Sequence, residues 1–160
     1  SLTTSGGPLE RLRMLMGAPH NGLTVSVHAG LEPTRARLVP RGPALGALYE
    51  VLSDELSRQS RSRRKKLALA YLMVRHDNDS EAELDAFIAR TLPLGVAVHL
   101  YAYNPVPTSS HQPVSRADYE AAYARMHAAG LRVRMSSQAR IEANGGCGTL
   151  VALRPKPGVR

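Results

Sequence analysis

The sequence predicts an α/β fold with parallel strands and right-handed crossovers. Short apolar runs alternate with amphipathic stretches, helix caps sit between them, and polar residues gather where the runs end. Leu23-Thr24-Val25-Ser26-Val27-His28-Ala29 carries β-branched residues in period-two alternation and is expected as a strand. Pro43 to Ser57 spaces Leu45, Leu48, Tyr49, Leu52 and Leu56 by three and four residues, which predicts one apolar helix face. Leu67 to Val74 is continuously apolar, as for a strand covered on both faces.

Ser80-Glu81-Ala82-Glu83 is expected to form a capping box, with the Glu83 carboxylate reaching back to the cap. The helix it opens would turn Leu84, Phe87 and Ile88 inward and stop before Pro93 and Gly95. Val96 to Tyr103 is the next strand. Ser115 then caps a last helix bearing Tyr119, Ala122, Tyr123 and Met126 on one side, with Gly130 as its left-handed stop. Leu131 to Met135 is a further strand, and Ser1 to Gly7 is a strand-like phrase that opens the chain in mid-element, as an excised piece would.

Composition narrows the chemistry. The 160 residues suit one domain with a sizeable core. With no Trp and one Phe, that core rests on Leu, Val, Ala, Met and Tyr. The only cysteine is Cys147, which excludes an internal disulfide, a four-thiolate zinc and an iron–sulfur cluster held by this chain's own thiols. No apolar run approaches the roughly 20 residues of a membrane span, and no charged leader precedes an apolar stretch. A soluble, cytoplasmic chain without membrane contact is expected. No His-Glu-x-x-His metal spacing, P-loop or Gly-x-Ser-x-Gly elbow is present.

A formal net charge of +8 favours anionic partners, nucleic acid foremost. Much of it lies in Arg58, Arg61, Arg63, Arg64, Lys65 and Lys66, either a solvated loop or an RNA-facing patch. Polar groups cluster at strand ends: Ser26 and His28, then Arg75 and His76, then Asn104. Barrels and open parallel sheets both build sites there, and period alone leaves the two architectures open.

Five phrases at those ends, in order, resemble the radical-SAM ribosomal RNA adenine methyltransferases of the RlmN/Cfr family. Leu2-Thr3-Thr4-Ser5-Gly6 is similar to the family's Leu-Ser-Thr-Ser-Gly, and Ser26-Val27-His28-Ala29 to its Ser-Leu-His-Ala, followed by Arg35 and Pro40. Tyr71-Leu72-Met73-Val74 with Asn78-Asp79-Ser80, then Tyr103-Asn104-Pro105-Val106-Pro107, and last Cys147-Gly148-Thr149-Leu150 complete the series. The resemblance implies the C-terminal half of a partial (β/α), TIM-like radical-SAM barrel over residues 1–153, with a methyl-carrier segment at 138–153 and a frayed basic tail at 154–160. The family's Cys-x-x-x-Cys-x-x-Cys loop for a [4Fe-4S] cluster would lie upstream, so this piece alone would be inactive. The bared sheet edge would favour edge-to-edge self-association.

By the same resemblance, Thr3, Ser26, Val27, His28 and Asn104 would contact S-adenosylmethionine, whose placement is the protein's task. His28 could equally be a structural imidazole, and Asn104 could simply begin a turn. Cys147 would be the thiol that accepts a methyl group and passes its carbon to the adenine; the bland alternative is an idle surface cysteine. Ala139 to Gly146 and Thr149 depart from the family's pattern around that cysteine, and Ala70 stands where it usually has Glu. A divergent radical-SAM enzyme with another substrate, or a basic RNA-binding module without chemistry, therefore stay open.

Overall fold

The computed structural model describes residues 1–136. Five parallel strands form one sheet: β1 (Leu2–Thr4), β2 (Leu23–Ser26), β3 (Leu67–Met73), β4 (Ala97–Ala102) and β5 (Arg132–Met135). Each strand lies beside its successor in the chain. Right-handed crossovers then send the long connecting helices to one face, as in part of a (β/α) barrel. A doubly wound sheet would reverse its order midway, so the topology decides what periodicity left open.

The helices are α1 (Leu9–Gly17), α2 (Glu32–Leu38), α3 (Leu45–Ser57), α4 (Arg61–Arg64), α5 (Glu81–Thr91) and α6 (Arg116–Ala128). The register sets Val25, Leu69, Val98 and Val133 side by side toward the helices. There they meet Leu12 and Met16 of α1, Leu48 and Leu52 of α3, Phe87 of α5 and Met126 of α6 in one core. Burying each such side chain contributes about 1.5–3 kcal/mol. β3 is buried throughout, whereas β4 alternates half-buried and buried residues, so its opposite face is only partly covered. A second cluster of Leu38, Val39, Leu72, Val74 and Tyr103 covers that opposite face near the strand ends.

The α3 stripe, the inward residues of α5, its end at Thr91 before Pro93 and the left-handed Gly130 agree with the sequence reading. Three elements were not anticipated: α1, α2 and the single turn α4. Leu9, Leu12 and Met16 in fact carry helical spacing across α1. The expected strand over 23–29 stops at Ser26, because His28 turns to a φ of 61° and leaves the extended region.

Glu83 requires a correction. The Ser80 hydroxyl does accept the Glu83 backbone N–H at 3.2 Å. The Glu83 carboxylate, however, turns away from its own cap and receives the N–H groups of Gly30 at 2.7 Å and Leu31 at 3.1 Å, with the Thr34 hydroxyl. It thus caps the start of α2 from a neighbouring helix, where orphan donors and the helix dipole favour a carboxylate. Gly30 is obligatory for this approach, since a Cβ there would lie 1.9 Å from the Glu83 carbonyl oxygen.

Two predictions follow from these contacts. Gly30→Ala must push α5 from the sheet and should lower stability by about 2 kcal/mol or more, read as an earlier urea midpoint with an unchanged slope. Arg13 joins Asp54 and Glu55, Arg125 joins Asp85, and these guanidinium hydrogen bonds hold the Asp54 and Asp85 carboxyls below the usual carboxylate range. A depressed folded-state value gives stability that is present above the unfolded carboxylate range and fades as pH falls through the lowered value. Acid titration of an Arg13→Gln/Arg125→Gln variant should therefore show a shallower loss of stability below pH of about 4.

Candidate functional site at the strand C-termini

Alternation along the strands puts Thr3, Thr24 and Ser26 on the face away from the helices, with Ala70 and His99 beside Ser26 in register. Thr3 is exposed and Ser26 fully buried. Val27 and His28 follow β2 directly, both buried, and Asn104 stands half-buried two residues beyond β4. The 26–28 triplet and Asn104 thus reach the C-terminal end of the sheet, whereas Thr3 lies level with Thr24, Ala68 and Ala97, two residues before Ser26 in the register. Cys147, the 138–153 segment and the 154–160 tail lie outside the described residues.

What holds this end in shape is a set of buried polar groups that strand propensity does not announce. Arg35 on α2 is 1% exposed. Its Nη1 donates to the carbonyls of Ser26 at 2.7 Å and Val27 at 3.0 Å, its Nη2 to Ser5 at 2.7 Å and its Nε to Pro43 at 3.0 Å. A planar fork of five N–H donors suits this convergence; a lysine ammonium would not. The guanidinium ties the exits of β1 and β2 together.

Asn78 makes the next tie. Its Nδ2 donates to the carbonyls of His28 at 2.8 Å and Leu72 at 2.7 Å, and its Oδ1 accepts from Val74 N–H at 2.8 Å. The Tyr71 hydroxyl donates to the Asn78 carbonyl at 2.6 Å. Burial, and then the charges of Glu83 and Asp79, hold Tyr71 well above the usual tyrosine range, so it remains a donor.

His28 is fixed by this frame. Leu72 N–H donates to its Nδ1 at 2.9 Å, which leaves the ring proton of the neutral imidazole on Nε2. That Nε2 is buried without an acceptor among the described residues. A donor in that condition costs free energy unless something else completes it. One ring nitrogen of His28 is therefore structural, while the other has no partner among the described residues.

The outer rim carries a second group that sequence reading missed. Asp77 receives Arg37 at 3.2 Å and His111 Nδ1 at 2.8 Å, and Arg75 pairs with Gln112 in an isolated antiparallel bridge. The segments after β3 and β4 are thereby clasped, with the Tyr103 ring edge-on to His111. These partners lie 34 to 40 residues apart in the chain, beyond the reach of any local pattern.

No family model matches the chain. Individual proteins do. A probable RNA methyltransferase of Rhodopirellula baltica is 31% identical over 155 residues, covering 94% of this chain and 39% of its own length. The dual-specificity RNA methyltransferase RlmN of Sorangium cellulosum is 29% identical over 163 residues, and the ribosomal RNA large subunit methyltransferase Cfr of Shouchella clausii is 29% identical over 147. The chain is a relative of the RlmN/Cfr RNA methyltransferases.

It spans 41% of the length of each of the latter two RlmN/Cfr proteins. The crystal structure of a radical SAM methyltransferase from Sphaerobacter thermophilus superposes with a TM-score of 0.76 at 25% identity, over 94% of this chain and 44% of that one. A domain of a pyruvate-formate lyase-activating enzyme from Bacteroides vulgatus, 8% identical, shares the fold at a TM-score of 0.67. In this RlmN/Cfr relative the ties made by Arg35 and Asn78 can be tested directly. Arg35→Met leaves four carbonyls short of a donor and should cost about 3 kcal/mol or more, while Arg35→Lys restores only part of that. Asn78→Ala should destabilise by a similar amount, and the His28 ring resonances should broaden as its frame loosens.

Proposed function

We propose that this chain forms part of a radical-SAM RNA methyltransferase and supplies one side of its S-adenosylmethionine site. The observation that carries this reading is the buried His28 Nε2–H, a donor without an acceptor among the described residues, two residues past Ser26 at the exit of β2. The fit to the cofactor is chemical. A carboxylate, an amine and ribose hydroxyls call for a short set of fixed hydroxyl, imidazole and carboxamide partners. Thr3, Ser26, His28 and Asn104 are such a set, and the Val27 backbone lies between two of them.

When bound, S-adenosylmethionine supplies the methyl group. The chain's own residues bind and orient it. Arg35 and Asn78 position the Ser26–His28 turn, and the Leu72 N–H keeps His28 in the tautomer that donates from Nε2. A [4Fe-4S] cluster does not fit this chain's own groups, because it has one cysteine, and among the described residues no three His, Cys, Asp or Glu side chains converge. Its ligands would belong to another part of the longer protein.

Cys147 would be the methyl-accepting thiol, and ribosomal RNA adenine the acceptor of the carbon. The phrase Cys147-Gly148 and the relatives' names support both assignments. The setting would be cytoplasmic; among the described residues no helix is long and apolar enough to cross a membrane.

The test uses the full-length, cluster-loaded protein. His28→Leu removes the Nε2 donor and should weaken S-adenosylmethionine binding about tenfold, the equivalent of one hydrogen bond to a charged group. Mass spectrometry of the peptide containing Cys147 should show the mass of one added methyl. Unchanged cofactor affinity refutes the His28 assignment, and a peptide that never gains the methyl refutes the carrier.

A further inference from the structure

At the opposite end of the sheet, the segments that lead into β2, β3 and β4 carry a cationic surface to which the proposed function assigns nothing. Residues 18–22, 58–66 and 92–96 contain no Asp or Glu. Arg58 is neutralised by Asp54 and Glu55. Arg61, Arg63, Arg64, Lys65 and Lys66 have no carboxylate partner among the described residues.

Part of this charge has a structural task. Arg63 Nη2 donates to the carbonyls of Met16 and Ala18, both at 2.9 Å, and closes the C-terminus of α1. Lys66 Nζ reaches the His20 carbonyl at 3.3 Å, and Arg64 Nη2 the Leu94 carbonyl at 3.5 Å. Carbonyls satisfy donors but leave the positive charge uncompensated. Arg61 and Lys65 are exposed and close nothing. Structure therefore explains some of the hydrogen bonds and none of the net charge.

Between these side chains lies a cavity of about 320 Å³ lined by Pro19, His20, Asn21, Arg63 and Lys66. The His20 Nδ1 is buried there without a partner. Burial first, then the charges of Arg63 and Lys66, hold its imidazole below the usual histidine range. An imidazole, an amide and two cations around a pocket of this size form a receptor for an oxyanion.

We propose that this end of the sheet is a second RNA contact, in which a backbone phosphate seats among His20, Arg63 and Lys66 while Arg61, Arg64 and Lys65 engage the phosphates beside it. The inference rests on the reading of the whole protein as an RNA enzyme. The seven residues of β3 set this surface roughly 20 Å from the strand C-termini. It would grip RNA at a distance from the reacting base, by charge and without sequence preference.

The experiment is fluorescence anisotropy of the full-length protein with a mixed-sequence single-stranded RNA, across a series of salt concentrations. Each phosphate contact contributes about 0.7 to the slope of log affinity against log salt. Arg61→Gln/Lys65→Gln should flatten that slope by about 1.4 and weaken binding at low salt, with thermal stability unchanged. Arg61 opens α4, where Gln keeps the helix, so the variant should fold. Arg125→Gln, whose charge already faces Asp85, should leave the slope alone.

In the parent protein, the His20 ring resonances should move as RNA is added. An unaltered slope in the double variant, a silent His20, or stronger binding to phosphatidylserine vesicles than to RNA overturns the proposal. The two readings fail separately. Methyl transfer to RNA with an unaltered slope removes only this surface; a flattened slope without methyl transfer removes only the enzyme.

Discussion

The guanidinium of Arg35, buried among four backbone carbonyls, is the constraint on which the candidate site depends. A lone cation taken from water is strongly unfavourable unless its donors are met. Here they meet the exits of two adjacent strands and the turn before α3. Those carbonyls have left the sheet ladder and need donors of their own. Each side of the arrangement supplies what the other lacks, and the Ser26–His28 turn is fixed as a result. Glu83 makes the complementary tie of opposite sign one residue away, on Thr34. α2 is a helix of only seven residues, and these two buried charges anchor it more firmly than its own hydrogen bonds could.

The sheet order explains why most of the inner face of the sheet is free of helices. Sequential parallel strands send the long connecting helices to one face. The other face is left to small and polar residues, Thr24, Ser26, Ala70 and His99. Only where α2 and the chain after β4 fold back over the strand exits does a second apolar cluster form, around Leu72, Val74 and Tyr103. The same topology that makes a stable outer layer thus leaves an inner surface of small and polar side chains.

Most of the fold was legible because it rests on local signals. Leu45 to Leu56 repeats at helical spacing, Ser80 and Ser115 accept the N–H three residues on, and Gly130 supplies a positive φ of 106°. The site was legible only as a set of residues at strand ends. Their supports were hidden for a physical reason: Glu83 acts 53 residues away on Gly30, and Asn78 acts 50 residues away on His28. A sequence pattern reports what a residue is able to donate or accept, not which distant backbone the fold brings to it. The capping box shows the difference, since its serine behaves as local chemistry predicts while its glutamate is captured by a stronger set of donors. The spacing of Leu9, Leu12 and Met16 in α1 was a local signal of the ordinary kind and could have been found.

Asn78 links the carbonyls of His28 and Leu72 from a turn only a few residues past β3. Lengthening the chain between Val74 and Asn78 would detach this staple from both neighbours at once. The stretch from Pro105 to Gln112, clasped near its far end by Asp77 and Arg75, has room to grow or shrink. Divergence among such proteins in the shape of the mouth should thus accumulate after the fourth strand, while the segment following the third keeps its length.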